Sequence, residues 1–206
     1  RSPSRGLGDV YKRQLDNSSQ ETLDFALYES KKDLTSGVVQ ISHGMAEHLG
    51  RYDHFITFLN NEGFHVLIHN HRGHGDRLID GKIGFFASKH GWSFLVDDLI
   101  SIHDWAVKQY PGLPHILLGH SMGSWVAMAA LQKVTDYEIA LISGSSKPRI
   151  LETFVQKLLV RFETIRLGAS GYSNFLHKAI FGGFNAKFKD PDTPNDWLSR
   201  DKYSVE

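Results

Sequence analysis

The sequence predicts an α/β protein: a mostly parallel β-sheet flanked by helices, followed by a helical insertion. Three observations carry this. Short, nearly all-apolar segments alternate with segments of helical spacing between Thr22 and Ser143. Glycine-rich turns stand at the ends of those apolar segments, at His43-Gly44, at residues 71–75 (HRGHG) and at residues 119–123 (GHSMG). From Lys147 onward the strand signal stops, and apolar residues recur only at helical spacing.

Taken in order, Thr22 to Tyr28 and Gly37 to Ser42 (GVVQIS) read as strands. Arg51 to Glu62 reads as a helix with Tyr52, Phe55, Ile56 and Leu59 as its inner stripe and Gly63 as its stop. Phe64 to Ile68 is a strand. Leu95, Leu99, Ile102 and Ala106 form the inner stripe of a second helix, closed by Tyr110-Pro111-Gly112. His115 to Leu118 is a strand, Met122 to Val134 a helix and Glu138 to Ser143 a strand. Strands this apolar imply a sheet covered on both faces. Ile150 to Leu167 then reads as helix, and Tyr172 to Phe184 is aromatic and punctuated by glycine. Residues 15–146 are expected to form the core and residues 147–206 a helical insertion over the sheet. The first fourteen residues are set apart, because Asp9 to Gln14 (DVYKRQ) resembles a translated sequencing adapter and the segment shares no periodicity with the rest of the chain.

Composition narrows the function classes. Of 206 residues 41% are hydrophobic and 22% charged, enough for one substantial core. Lys+Arg and Asp+Glu number 23 each, with no long run of one sign, which argues against a nucleic-acid track and favours small neutral ligands. The absence of cysteine excludes disulfides, thiolate metal sites and a Cys nucleophile, and is compatible with a reducing compartment. No stretch approaches the roughly 20 apolar residues of a membrane span. A cytoplasmic location is the expectation.

The chemistry concentrates at Ser121. A serine at a sharp strand-to-helix turn sits where strand and helix approach so closely that side chains two positions before and after it would collide. Gly119 and Gly123 relieve that collision. The turn aims the Ser121 hydroxyl out of the carboxyl end of the sheet, and puts the Met122 N–H at a helix N-terminus, where a developing oxyanion is favoured. Gly-x-Ser-x-Gly alone also occurs in ordinary helix-start turns, so the strand–serine–helix order is what points to a nucleophile. A second oxyanion donor is expected from residues 43–48 (HGMAEH), with Gly44 permitting an unusual backbone that turns the Met45 N–H toward the serine. Judged alone, that loop has a plain strand-ending turn as its lesser alternative reading.

Three segments together, HGMAEHLGRYDHF (43–55), HNHRGHGD (69–76) and LLGHSMGS (117–124), resemble the monoglyceride lipase and lysophospholipase branch of the α/β-hydrolases, grouped with serine aminopeptidase-like hydrolases. The resemblance runs from about Leu23 to the end of the chain, with DWLSRD (196–201) similar to the close of that family's helical cap. It implies an α/β-hydrolase fold, Ser121 as nucleophile, the Met45 and Met122 N–H groups as oxyanion hole, and residues 147–206 as a lid over an acyl-binding pocket. It further implies hydrolysis of a monoacylglycerol or lysophospholipid through an acyl-enzyme without cofactor or metal, the lid being a candidate for transient membrane-surface contact. Two departures stand out. Asn70 occupies a position where the family usually has Asp. The triad order Ser, Asp/Glu, His places both partners beyond the cap, whereas this chain offers only His177 after Ser121. The last strands, the acid and the base are therefore expected to be missing, and residues 1–206 taken alone to be inactive.

Two other readings compete. His69-x-His71-x-x-His74 has the histidine spacing of a binuclear zinc box, but Gly73 stands where that box carries its carboxylate. His48, His54 and His65 are expected to pack or hydrogen-bond. A non-catalytic relative could bind an acyl ligand or partner in the same pocket. The aromatic residues Phe154, Phe162, Tyr172, Phe175, Phe181 and Phe184 suit an acyl chain, and suit packing of a lid onto a core equally well.

Overall fold

Period-two burial builds the two faces of the sheet. The computed structural model describes residues 10–16, 22–147 and 150–182. Its strands are β1 (Val10–Asp16), β2 (Thr22–Tyr28), β3 (Gly37–Ser42), β4 (Phe64–Ile68), β5 (His115–His120) and β6 (Ile139–Ser143), ordered β1-β2-β4-β3-β5-β6. The helices are α1 (Asp53–Asn61), α2 (Gly91–Gln109), α3 (Met122–Ala130), α4 (Ile150–Leu167) and α5 (Asn174–Phe181). β4, β3, β5 and β6 run parallel, while β1 and β2 add antiparallel at one edge.

Alternate residues of each strand face opposite helices. Leu23, Phe25, Leu27, Val38 and Leu67 pack with Ile102 and Ala106 of α2, and Leu117 with Leu95 and Leu99 of α2 and Val126 and Ala127 of α3. Ala26, Tyr28, Val39, Ile41, Val66 and Ile68 pack on the other face with Ile56 of α1. The chain thus leaves β3 through α1 to reach β4 on one side, then returns through α2 to β5 on the other. Such a switch in strand order opens a crevice at the carboxyl ends of the central strands.

Several expectations need correction. Residues 10–14, set apart in the sequence for their resemblance to a translated sequencing adapter, form the start of β1, which pairs with β2 from Val10 opposite Tyr28 to Asp16 opposite Thr22, and Gln14 donates to Asp24 at 2.8 Å. An antiparallel edge strand needs no long-range periodicity of its own, so the sequence pattern does not reveal it. Phe55 is not on the inner stripe of α1, where Ile56 and Asn60 are buried; it stacks on Phe58, with ring centres 6.4 Å apart. β6 is exposed along its whole length among the described residues, so the two-sided cover extends over β2 to β5 only.

The loop after β4 is pinned to α2 by a buried ion cluster. Arg72 grips Asp98 with two hydrogen bonds of 3.0 and 3.3 Å, Arg77 adds a third at 2.9 Å, and the Arg72 guanidinium lies 4.7 Å from the Phe94 ring centre. Burial pushes the Asp98 carboxyl up, but the Arg72 hydrogen bonds and the charges of Arg77 and Arg72 outweigh it and hold the group below the usual carboxylate range.

The chain divides into two units, residues 1–147 and 148–206. In the second, the Glu163 carboxylate of α4 accepts from Arg166 and from Ser173, and Ser173 in turn caps α5 by accepting the Leu176 N–H at 3.1 Å. Phe154, Phe162, Tyr172 and Phe175 are exposed; Phe184 and residues 196–201 lie outside the described residues, and nothing is described of the Phe181 side chain. Among the described residues no helix is long and apolar enough to cross a membrane.

Candidate active site

The sheet register brings two loops together. Ser42 at the end of β3 pairs with Gly119 of β5, so the loop 43–48 leaves the sheet beside the turn that carries Ser121. Ser121 has φ +51° and ψ −121°, a conformation unfavourable for a residue with a side chain. It is held there by its own N–H, which donates to the Ser143 carbonyl of β6 at 2.9 Å, and by its carbonyl, which accepts from the Ser124 N–H at 2.9 Å and the Ser124 hydroxyl at 2.5 Å. The flanking glycines are required for space. A Cβ on Gly119 would stand 2.7 Å from the Gly123 carbonyl oxygen and 2.8 Å from the Ala127 Cβ, and one on Gly123 would fall on the Ser42 carbonyl oxygen. Met122 opens α3, so its N–H has no acceptor within the helix.

Gly44 differs from the sequence expectation. Its φ is not positive; the left-handed residue of the loop is Ala46, at φ +60°. A Cβ at 44 would sit 3.1 Å from the Ser121 Cβ and 3.2 Å from the Glu47 carboxylate, so one of the two would have to give by a few tenths of an ångström. The Gly44 N–H donates to Glu47 Oε2 at 2.9 Å. That donor is consumed, and Met45, 40% exposed, carries the next N–H along the loop.

Behind the loop lies a packed histidine cluster. His43 Nε2 accepts the His71 N–H at 2.9 Å, so Nδ1 carries the proton and donates to the Gly44 carbonyl at 2.8 Å. Burial pushes the His43 imidazole down to about 4, against the opposing pull of the Gly44 carbonyl. His71 bonds the Ser42 hydroxyl at 3.0 Å, and His74 bonds the Arg72 carbonyl at 3.0 Å. His69 is wholly buried, with neither ring nitrogen partnered among the described residues, and burial takes it to about 3. These are neutral packing groups. Among the described residues no three His, Asp or Glu side chains converge as metal ligands, and His69, His71 and His74 form no such set. Elsewhere, His65 accepts the Ser30 N–H and stacks on Tyr110, whereas His48 and His54 are exposed.

Asn70 does what an aspartate there could not. Its Oδ1 accepts the Leu49 N–H at 2.8 Å while its Nδ2 donates to Asp76 at 2.7 Å, tying the loops after β3 and β4 together. A second carboxylate would face Asp76 with no proton to share. Three further groups escape sequence reasoning: Glu47, the Tyr52 hydroxyl that donates to it at 2.9 Å, and Asp98. Low exposure marks the two carboxylates, and a hydrogen bond to one of them marks Tyr52; both are tertiary properties. His177 lies on α5 in the second unit, its ring 5.8 Å from that of Tyr172. The Ser121 hydroxyl forms no hydrogen bond among the described residues.

A serine held in the left-handed region between a parallel strand and a helix, on a sheet of this order, defines the α/β-hydrolase fold. The family model described as serine aminopeptidase, S33, matches residues 34–206, and the chain belongs to that family. It is 35% identical over 109 residues to the monoacylglycerol lipase of Mycolicibacterium smegmatis, covering 52% of this chain and 37% of that protein. It is 35% identical over 104 residues to the monoglyceride lipase of Homo sapiens, covering 50% and 33%. The aligned part spans about a third of the length of these curated relatives. Among solved structures, a thermostable carboxyl esterase from Bacillus coagulans in complex with glycerol superposes with a TM-score of 0.82 at 26% identity, covering 95% of this chain and 63% of that one.

Proposed function

We propose that this chain carries the nucleophile and oxyanion hole of a serine ester hydrolase acting on acyl lipids of the monoacylglycerol or lysophospholipid class. The observation that carries the proposal is the Ser121 turn: a left-handed serine, with no room for a side chain at Gly119 or Gly123. Strain of this kind persists where the surrounding structure enforces it, and it is retained where the side chain must be presented. The relatives named monoglyceride lipase support the substrate class.

In this reading the Ser121 hydroxyl attacks the ester carbonyl and its proton passes to a histidine base. The tetrahedral oxyanion accepts from the Met45 and Met122 N–H groups. Collapse expels the alcohol, and water then releases the fatty acid from the acyl-enzyme. Residues 147–206 are assigned to a helical cap, a reading supported by α4 and α5, the elements described after Lys147. No described residue is assigned as base or acid.

The test is monoacylglycerol hydrolysis by the full gene product and by its Ser121→Ala variant. Turnover in the first and none above the oxyanion-hole background in the second is expected. Equal turnover in both would remove Ser121 from the mechanism.

A further inference from the structure

We propose that Glu47 is the positioning residue of the oxyanion hole, a buried carboxylate that fixes the loop 43–48 against the Ser121 turn; this rests on the reading of Met45 as an oxyanion donor.

Glu47 is 9% exposed and collects contacts from three directions. Its Oε2 accepts the Gly44 N–H from its own loop and the Tyr52 hydroxyl from the turn leading into α1, both at 2.9 Å. Its Oε1 faces the Arg51 guanidinium at 3.3 Å and the His120 Nε2 at 3.7 Å, and His120 is the residue before Ser121. One carboxylate therefore ties the loop after β3 to the entrance of α1 and lies beside the end of β5. Bonds to a charged acceptor are stronger than neutral ones, so the tie is stiff. The geometry also decides which amide is used. With the Gly44 N–H turned to Glu47, the next peptide plane is fixed from one side, and the strained Ala46, at φ +60°, fixes it from the other. Oxyanion donors stabilise the transition state only when aimed in advance, so a loosened loop would lose rate before it lost binding. Tyr52 belongs to the same device. Burial and then the Glu47 charge push its hydroxyl proton well above the usual phenol range, which keeps it a donor.

The test uses the full gene product with Glu47→Gln and Tyr52→Phe, assayed on a medium-chain p-nitrophenyl ester and on its thionoester. The sulfur of the thionoester draws little stabilisation from amide donors, so a general structural defect would slow both substrates alike. Glu47→Gln is expected to lower ester kcat by about 10- to 100-fold, below the roughly 10²–10³ of deleting a donor outright, with KM within about two-fold and thionoester turnover much less affected. Tyr52→Phe, which removes one hydroxyl, is expected to act in the same sense and less strongly. Unchanged ester kcat in Glu47→Gln, or equal losses on the two substrates, would overturn the positioning role while leaving Ser121 as nucleophile. A wild type that turns over ester only by a route indifferent to Ser121→Ala would overturn both.

Discussion

At Gly44 the decisive quantity is space. The Cβ of an alanine there would press on Ser121 at 3.1 Å and on Glu47 at 3.2 Å, tighter than ordinary van der Waals contact, so either the turn or the loop must give by a few tenths of an ångström. A misplacement of about 1 Å at a reacting centre costs about 10²-fold in rate, and a few tenths of an ångström costs correspondingly less. Gly44→Ala is expected to reduce kcat by about 10-fold or more and Gly44→Val further, with melting temperature little changed for alanine; parallel kinetics and thermal melts check this. Full turnover in Gly44→Ala would show that the loop does not need its present seat. The elbow was legible in the sequence because its signal is local: strand, Gly119, Ser121, Gly123 and helix succeed one another within a few residues. The close packing at Gly44 was not legible. A close approach from β5 to a loop after β3 is created by the register of Ser42 with Gly119, which no single-segment pattern encodes.

Between elements, the ion cluster of Asp98 with Arg72 and Arg77 joins the loop after β4 to α2. Removing one partner of a buried pair leaves an uncompensated charge, which typically destabilises by about 3–5 kcal/mol. Asp98→Ala is therefore expected to lower the melting temperature by roughly 10 °C in a chain of this size, measurable by differential scanning calorimetry. A change of a degree or two would mean that water reaches the arginines in the folded state. The helix stripe Leu95, Leu99, Ile102 and Ala106 was readable from spacing, and all four are buried. Asp98, three residues after Leu95 and four before Ile102, shares their face by spacing; its burial was not readable because a lone carboxylate there argues against it, and only its arginine partners make burial tolerable. The same limit hid β1, and it misplaced Phe55, whose spacing fits the stripe while its ring turns outward.

For the molecule as a whole, the histidine cluster sets the response to acid. His43 and His69 are held to about 4 and about 3, and His71 and His74 are also lowered, all chiefly by burial. Unfolded histidine titrates near 6.5, so below that pH the unfolded chain binds protons that the folded chain refuses. Stability is then complete above about pH 6.5 and falls as pH drops toward the folded values. At about pH 5, keeping His43 or His69 neutral costs about 2 kcal/mol each. The Asp98 contribution is lost only at lower pH, below the ordinary aspartate range. Melts from about pH 8 to about pH 5 should show a steep loss below about 6.5, and His69→Leu should flatten it; a flat wild-type profile would mean that the cluster takes up protons without unfolding. Fold class and the strand–serine–helix succession at Ser121 were within reach of the sequence because they derive from apolar alternation and glycine placement, and the family because three local motif segments resemble it. Every catalytic assignment turns on Ser121, and covalent labelling tests it most directly. Treated with a fluorophosphonate probe, the full gene product is expected to carry one adduct, mapped by mass spectrometry to the peptide containing Ser121 and absent in Ser121→Ala. Labelling that persists in Ser121→Ala would contradict the assignment.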